Sequence, residues 1–362
     1  MKKYYLLSLL MVCMFAFSSC SDDDDKDQYK PFVPTASNGA YVMNQGSYYS
    51  KISSTIGYLD YGTQALTDSV FVAANGFLPG NTLQGGIIYG DHLFVIAYES
   101  NVLFVANKNT LKVEKQVKVS APRALATANG YVFISNFDGY VTRFNARTMT
   151  VQDSVKVGPN PEEMAVANGY LYVAISDGMN YMNGYANGKK VAKVNLSTFS
   201  LEKEIPVRVN PNVAAADNEG NVYVISQGNY GDIKPMLQKI DKNDKVSEMV
   251  NASMMCIDGS TLYAIYADMD PQTYVTDYTY FSMDLKTGIT NDNLVKTPAD
   301  FPTFIKVDPV TKHIFIGSDN VGANGSADYA TAGYINEYKA DGTLQKKHVA
   351  GVHPVQMVFN LK

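Results

Sequence analysis

Tryptophan is absent from the 362 residues, and there are only three cysteines and four histidines. Each scarcity excludes something. Cys13 lies inside an N-terminal apolar run and Cys20 at its end, which leaves Cys256 alone for the fold, so one chain has no disulfide framework. Cys256 sits in the apolar run Met254-Met255-Cys256-Ile257 and is expected to be a buried thiol. The histidines, His92, His313, His348 and His353, are scattered, with none at the helical spacing of a metal motif. Thirty Lys and Arg face 35 Asp and Glu, a net charge of −5. That balance disfavours nucleic acid and anionic lipid, both of which need a basic surface. No Gly-x-Ser-x-Gly elbow, phosphate loop or redox cysteine pair occurs. From Asn38 onward no amphipathic helix of three turns can be drawn.

The chain opens with Lys2 and Lys3, an apolar stretch from Tyr4 to Phe17, and Phe17-Ser18-Ser19-Cys20. A basic start, a short apolar run and small residues before a cleavage point mark a secretory signal over residues 1–19, and the run is too short to span a bilayer comfortably. Cys20 resembles the lipid-bearing cysteine of a bacterial lipobox, with Phe17 standing where Leu is usual. The alternative is an ordinary signal with an incidental cysteine. Asp22 to Asp25 are four consecutive carboxylates that repel one another and stay solvated. Residues 20–37 therefore read as a tether, kept extended by Pro31 and Pro34. Without Lys2 and Lys3 the basic count falls from 30 to 28 against 35 acids, a net −7.

What is present in quantity is a repeated short strand. Ala128-Asn129-Gly130-Tyr131-Val132-Phe133-Ile134-Ser135-Asn136 is a turn followed by a strand apolar on both faces. It returns at residues 167–176 and 218–227, and in weaker form at 92–98, 260–266, 313–318 and 40–45. Seven copies at spacings of about 40–50 residues are the mark of radially repeated sheets. In one complete unit, a small-residue strand over 123–128 turns at Asn129-Gly130 into 131–137, which turns at Asp138-Gly139 into 140–145. A fourth strand follows over 150–157. Asn-Gly and Asp-Gly supply the positive φ values that tight hairpins need. The second strand reads as covered on both faces, and Val151, Val155 and Val157 alternate with polar residues as in an outer strand with one wet face. Ala124, Ala126 and Ala128 are small enough to crowd a central axis.

The fold class expected is all-β, a seven-bladed β-propeller of four-stranded antiparallel blades over residues 38–362, with six or eight blades as the alternatives that the irregular first unit and the long insertions leave open. Six blades run over 81–119, 120–157, 158–209, 210–250, 251–296 and 297–350. The seventh takes strands at 40–44, 56–61 and 67–72 from the N-terminus and an inner strand at 355–360 from the C-terminus, so that pairing of the terminal strands removes the last sheet edge.

The core Tyr131-Val132-Phe133-Ile134-Ser135-Asn136, preceded by Pro122 and an Ala-rich strand, resembles the YVTN and YncE-like seven-bladed propellers. The absence of Trp separates it from WD repeats. The acidic run after Cys20 resembles the surface-export signal of Bacteroidetes lipoproteins, which implies an outer-membrane, lipid-anchored protein exposed on the cell surface. Together these features resemble the BtuG-type propeller lipoproteins, which capture cobalamin and pass it to a TonB-dependent outer-membrane transporter. The resemblance implies a corrinoid ligand, no resident cofactor and a transporter partner.

Ligands of propellers usually meet the face where the loops after the second strands and the loops joining blades come together. Candidate binding residues there are Asn44, Gln45, Tyr98, Glu99, Arg123, Asn136, Phe137, Asp177, Gln227, Asn229, Tyr266, Asp319 and His353. The set is rich in amides and aromatics, which suits a broad ligand edged with amides. Asn and Asp after a strand also commonly just satisfy turn backbone. Insertions at 177–190, 228–235, 268–277 and 319–332 raise Tyr181, Tyr185, Tyr230, Tyr274, Tyr278 and Tyr329 on the same face, and tyrosine offers large contact area with few rotors to freeze. Two other classes stay open. A metal-dependent lactonase or lyase would draw ligands from Glu99, Asn136, Asp177, Gln227, Asp319 and His353. A protein-binding scaffold would need an exposed apolar patch. Asp68-Ser69-Val70 and Asp153-Ser154-Val155 also resemble the O-glycosylation sequon of Bacteroidetes.

Overall fold

Side chains of a strand point alternately to its two faces, and a strand apolar throughout must be covered on both. The computed structural model, which describes residues 32–362, shows how. In the strand Tyr131–Asn136, Val132 and Ile134 enter one apolar cluster together with Phe94, Ile96 and Phe144. Phe133 enters another with Leu171, Val173 and Phe199. Seven such clusters occur among the described residues, and each fills the wedge between two neighbouring sheets. The sheets are the seven blades of a propeller, each a four-stranded antiparallel meander, one of them extended by a two-residue strand. The expected signal, Cys20 and the first part of the tether lie outside the described residues.

The innermost strands are Leu83–Tyr89, Pro122–Ala128, Pro161–Ala167, Pro211–Ala216, Met254–Asp258, Phe301–Val307 and Pro354–Leu361, in blades 1 to 7. A residue of positive φ stands directly before five of them, Thr82, Ala121, Asn160, Asn210 and His353, and turns the chain in toward the axis. Blade 7 closes the ring. Ser37–Asn44 pairs with Thr55–Asp60 on one side and with Pro354–Leu361 on the other. Gly85 and Gly86 let the axis stay narrow, since a Cβ on Gly85 would lie 2.5 Å from Gln356 Oε1, the atom that accepts the Gly86 N–H at 2.6 Å.

Three expectations change in detail. The strand expected over 67–72 is Ala65–Thr67, and the chain then turns at Ser69 into a short helix, Val70–Asn75. Asp68 accepts hydrogen bonds from Asn44 and Thr55, which holds the turn, and Phe71 is fully buried against Phe104. Val151 is exposed, because the outer strand Thr150–Lys156 is wet almost throughout. The insertion expected over 268–277 is a strand extension, with Thr261–Met269 and Thr276–Asp284 paired out to a tight turn.

Tyrosines rivet adjacent blades. The hydroxyl of Tyr41 donates to Lys108 O at 2.6 Å, Tyr61 to Asp308 at 2.9 Å, Tyr280 to Ala299 O at 2.9 Å, and Tyr89 accepts the Gly130 N–H at 2.8 Å. Burial, with the nearby Asp308 charge, holds the Tyr61 hydroxyl far above its ordinary range. A ring that buries most of its body while its oxygen reaches a polar partner suits such a joint.

Blade 6 holds a buried charge cluster. Glu337 takes His313 Nδ1 at 2.8 Å and His348 Nε2 at 2.9 Å, one on each oxygen. Burial alone would raise its carboxyl, but the hydrogen bonds of His348 and then His313 hold it below the ordinary glutamate value. A depressed carboxylate stabilises the fold above its unfolded value of 4.5 and loses that contribution as pH falls through the lower folded value. Glu337→Gln should cost about 3 kcal/mol at neutral pH and flatten the acid limb of stability below about pH 4.5. Urea titrations of both proteins from pH 7 to 3 test this; parallel acid limbs would exclude Glu337 as their source.

Candidate functional site

The pairing of Pro122 with Asn136 puts the start of an innermost strand beside the end of a second strand. All loops after second strands and all loops between blades therefore share one end of the ring, the upper face. An axial channel of about 1270 Å³ runs along the ring, lined by Gln84 and Arg123 toward this end, by Glu163, Cys256, Lys306 and Gln356 along its wall, and by Gly90, Asp91 and Asn129 toward the opposite end. Burial in the channel pushes the Glu163 carboxyl up, while Lys306 and the Ala214 N–H, which donates to Oε2, draw it back. Burial pushes the Cys256 thiol up to about 12, so it stays a thiol.

Two clusters stand at the upper mouth. In the first, Arg123 donates through Nε and Nη2 to Glu162 Oε2, at 3.0 and 2.9 Å, and through Nη1 to Gln84 at 2.8 Å. Its guanidinium carbon lies 4.9 Å from the Phe137 ring centre and 5.9 Å from that of Tyr98, whose own ring meets Phe137 edge-on at 5.8 Å. Such stacking adds attraction between the guanidinium and the rings. Burial pushes the Glu162 carboxyl up, and Arg123 with Ser176 pulls it back. Tyr230 lies over this pair, beside Asn210, close enough for its hydroxyl to feel both charges.

In the second cluster, His353 Nδ1 meets Asp319 Oδ2 at 2.8 Å, and the Tyr329 ring packs edge-on against the imidazole at 5.3 Å. Burial first, and then the Asp319 charge, raise the Tyr329 hydroxyl; Tyr278 feels the same carboxylate.

The other candidates are placed at the upper face but hold the scaffold. Asn44 bridges Thr55 and Asp68. Asn136 donates to Thr142. Asp177 accepts Asn180 Nδ2, Asn187 N and Asn187 Nδ2 and so ties down the blade 3 insertion. Gln227 clamps Asn212 and Ser253 O across blades 4 and 5. Asn229 closes its own loop onto Gly231, Asp232 and Ile233. Gln45 is held through its backbone to His353 O, Tyr266 neighbours Asn251 and Asp268, and Glu99 is exposed. Of the six metal-ligand candidates Asp319 and His353 are in contact, and among the described residues no group of three or more His, Cys, Asp or Glu is placed to hold a metal ion. Asp153 of one glycosylation candidate is held by Arg143.

Sequence reasoning missed part of the rim. Tyr48 and Tyr49 after the second strand of blade 7, Phe77 and Leu78 before blade 1, and Met179 and Met182 in blade 3 are exposed on this face beside Tyr181, Tyr230, Tyr274 and Tyr329. The signal available was the Tyr-Tyr pair just past a second strand. Four of the seven buried side-chain atoms that lack a partner among the described residues also lie here: Asn44 Oδ1, Asn136 Oδ1, Asn210 Nδ2 and Asp319 Oδ1.

Residues 38–359 match one family over nearly the whole propeller. The chain belongs to the DUF5074 family, described as a domain of unknown function. No curated protein matches this DUF5074 chain. Among solved structures it is similar to the hydrazine synthase of Kuenenia stuttgartiensis, at 15% identity and a TM-score of 0.59, over 77% of this chain and 92% of that one. It is also similar to a quinonprotein alcohol dehydrogenase-like protein from Bacteroides thetaiotaomicron, at 13% identity and a TM-score of 0.59, over 90% and 78%. At these identities the likeness is one of fold. Among the described residues of this DUF5074 propeller no helix is long and apolar enough to cross a membrane.

Asp177 gives the test of how the rim is held. Asp177→Ala should free the segment 178–189 at a local cost of about 1–3 kcal/mol. Limited proteolysis with mass spectrometry should find new cuts there while the global melting midpoint moves little; an unchanged cleavage map would show that the loop is held otherwise.

Proposed function

We propose that this DUF5074 protein is a cell-surface binding lipoprotein that captures a small molecule at its upper face and delivers it to a TonB-dependent outer-membrane transporter. The observation that carries the reading is the number of exposed Tyr, Phe and Met side chains on the loops of one face, held by a rigid ring around an axis that Gln84 and Arg123 line. Such a rim offers flat apolar contact at its edge and, at the Arg123 and Asn210 positions, polar groups toward the middle. A broad ligand edged with amides fits that distribution, and a corrinoid is the leading candidate, in keeping with the resemblance of the leader and repeat to BtuG-type proteins. Anchorage through Cys20 would hold the ring on the acidic segment that follows it. The fold enters the tether at Thr35 and Ala36, whose N–H groups meet Lys362 O at the end of the ring opposite the rim.

Calorimetric titration of the chain from Ser21 onward with cyanocobalamin is the test. One-to-one binding is expected, weakened about 10- to 100-fold by Tyr98→Ala or Tyr230→Ala, the usual range for a buried aromatic anchor. Asn136→Ala should instead act through stability, since its side chain is spent inside blade 2. No heat and no protection against thermal unfolding would remove the corrinoid assignment.

A further inference from the structure

The Asp319 and His353 pair is built differently from the rest of the upper face. His353 occupies the left-handed position before an innermost strand, where blades 1 to 4 carry Thr82, Ala121, Asn160 and Asn210. Two of those, Asn160 and Asn210, are amides that the backbone turn itself favours. Only here is the side chain an imidazole, and only here does it meet a buried carboxylate. Asp319 is 2% exposed, at the end of the blade 6 second strand, opposite Phe301 at the start of the innermost strand. An ionised carboxylate can only accept a hydrogen bond, so the 2.8 Å contact assigns the proton of the neutral imidazole to Nδ1. Nε2 is then a bare lone pair. No described residue hydrogen-bonds it, and the ring keeps 23% of its surface open beside Tyr329.

Asp319 Oδ1 supplies the second observation. It is buried and has no partner among the described residues, so the one oxygen this carboxylate uses is the one turned to the imidazole. A carboxylate behind a histidine, fixing its tautomer and raising the basicity of the far nitrogen, is the arrangement by which proteins present imidazole to a metal. With a single nitrogen and no converging ligands, the site is unsuited to a free metal ion. It suits a metal already held by its own ligands with one exchangeable position.

We propose that His353 Nε2 is an axial ligand for the metal centre of the molecule captured at the rim, and that Asp319 is the positioning residue that fixes the ring's orientation and places the proton of the neutral imidazole on Nδ1. The proposal rests on the corrinoid reading above. For a corrinoid with water on cobalt, Nε2 donates its lone pair to form the cobalt–nitrogen bond, and the water leaves with the pair it had shared. The oxidation state does not change, and the Nδ1 proton stays on Asp319's partner atom.

Visible absorption and calorimetry with aquocobalamin and cyanocobalamin test it on the chain from Ser21 onward. Aquocobalamin should bind at least about tenfold more tightly, 1.4 kcal/mol, with a shift of its visible bands, because cyanide blocks the position and water does not. In His353→Asn, which keeps a residue that blades 3 and 4 tolerate at this φ, the band shift and the preference should vanish. Asp319→Asn should reduce the preference while leaving a band shift. Equal binding of both corrinoids without a band shift would overturn the proposal and leave the corrinoid reading standing. A band shift that survives in His353→Asn would also overturn it, by assigning the ligand elsewhere. Binding of neither compound would overturn the corrinoid reading and this proposal together.

Discussion

Closure of the ring is the constraint on which the other features depend. A row of sheets around an axis has two exposed edges unless its first and last strands belong to one blade. Here Ser37–Asn44 is hydrogen-bonded to Pro354–Leu361, and Thr35 and Ala36 reach Lys362 O. The contact joins residues more than 300 apart in sequence, so its loop-closure entropy is met only once the intervening blades are in place. Once closed, every wedge between blades has two walls, and all seven apolar clusters can be buried.

That geometry explains the composition of the chain. Near the axis the sheets converge, and Gly85, Gly86, Ala126 and Ala214 to Ala216 let the innermost strands come close around the channel. Farther out the wedges widen and take Phe94, Phe133, Phe144 and Phe315. Tyrosine serves at two radii and in two ways. Buried, as Tyr41, Tyr61 and Tyr280, it fills a wedge and ends in a hydrogen bond to the next blade. Exposed, as Tyr181, Tyr230 and Tyr329, it makes the rim. The abundance of one residue type therefore has no single cause, and a count alone cannot divide it.

The same division separates framework from site among the polar residues of the upper face. Asn44, Asn136, Asp177 and Gln227 secure loops and blade junctions, and their rigidity is what lets Arg123, Tyr98 and Phe137 hold a fixed arrangement. Charge is handled by pairing: Arg123 with Glu162 at the mouth, Lys306 near Glu163 in the channel, and Glu337 between two histidines in blade 6. Each buried carboxylate thus has a partner, and the partly satisfied one, Asp319, stands behind the only imidazole at the mouth.

Periodicity carried most of the architecture. A strand such as Tyr131–Asn136, apolar on both faces and bounded by Asn-Gly and Asp-Gly, already requires neighbours on both sides, and seven copies with complementary ends already imply a closed ring. The sequence could also place Tyr98, Arg123, Phe137, Asp319 and His353 on one face, because strand order alone fixes which loops share an end. It could not place the short helix after Thr67, since the burial of Phe71 against Phe104 of the next blade outweighs local strand preference. Nor could it tell Asn136, spent on Thr142, from Arg123, stacked on two rings, because one position in a turn serves both purposes. Those distinctions depend on which side chains meet across blades, and contacts between residues far apart in the chain are decided only when the ring is closed.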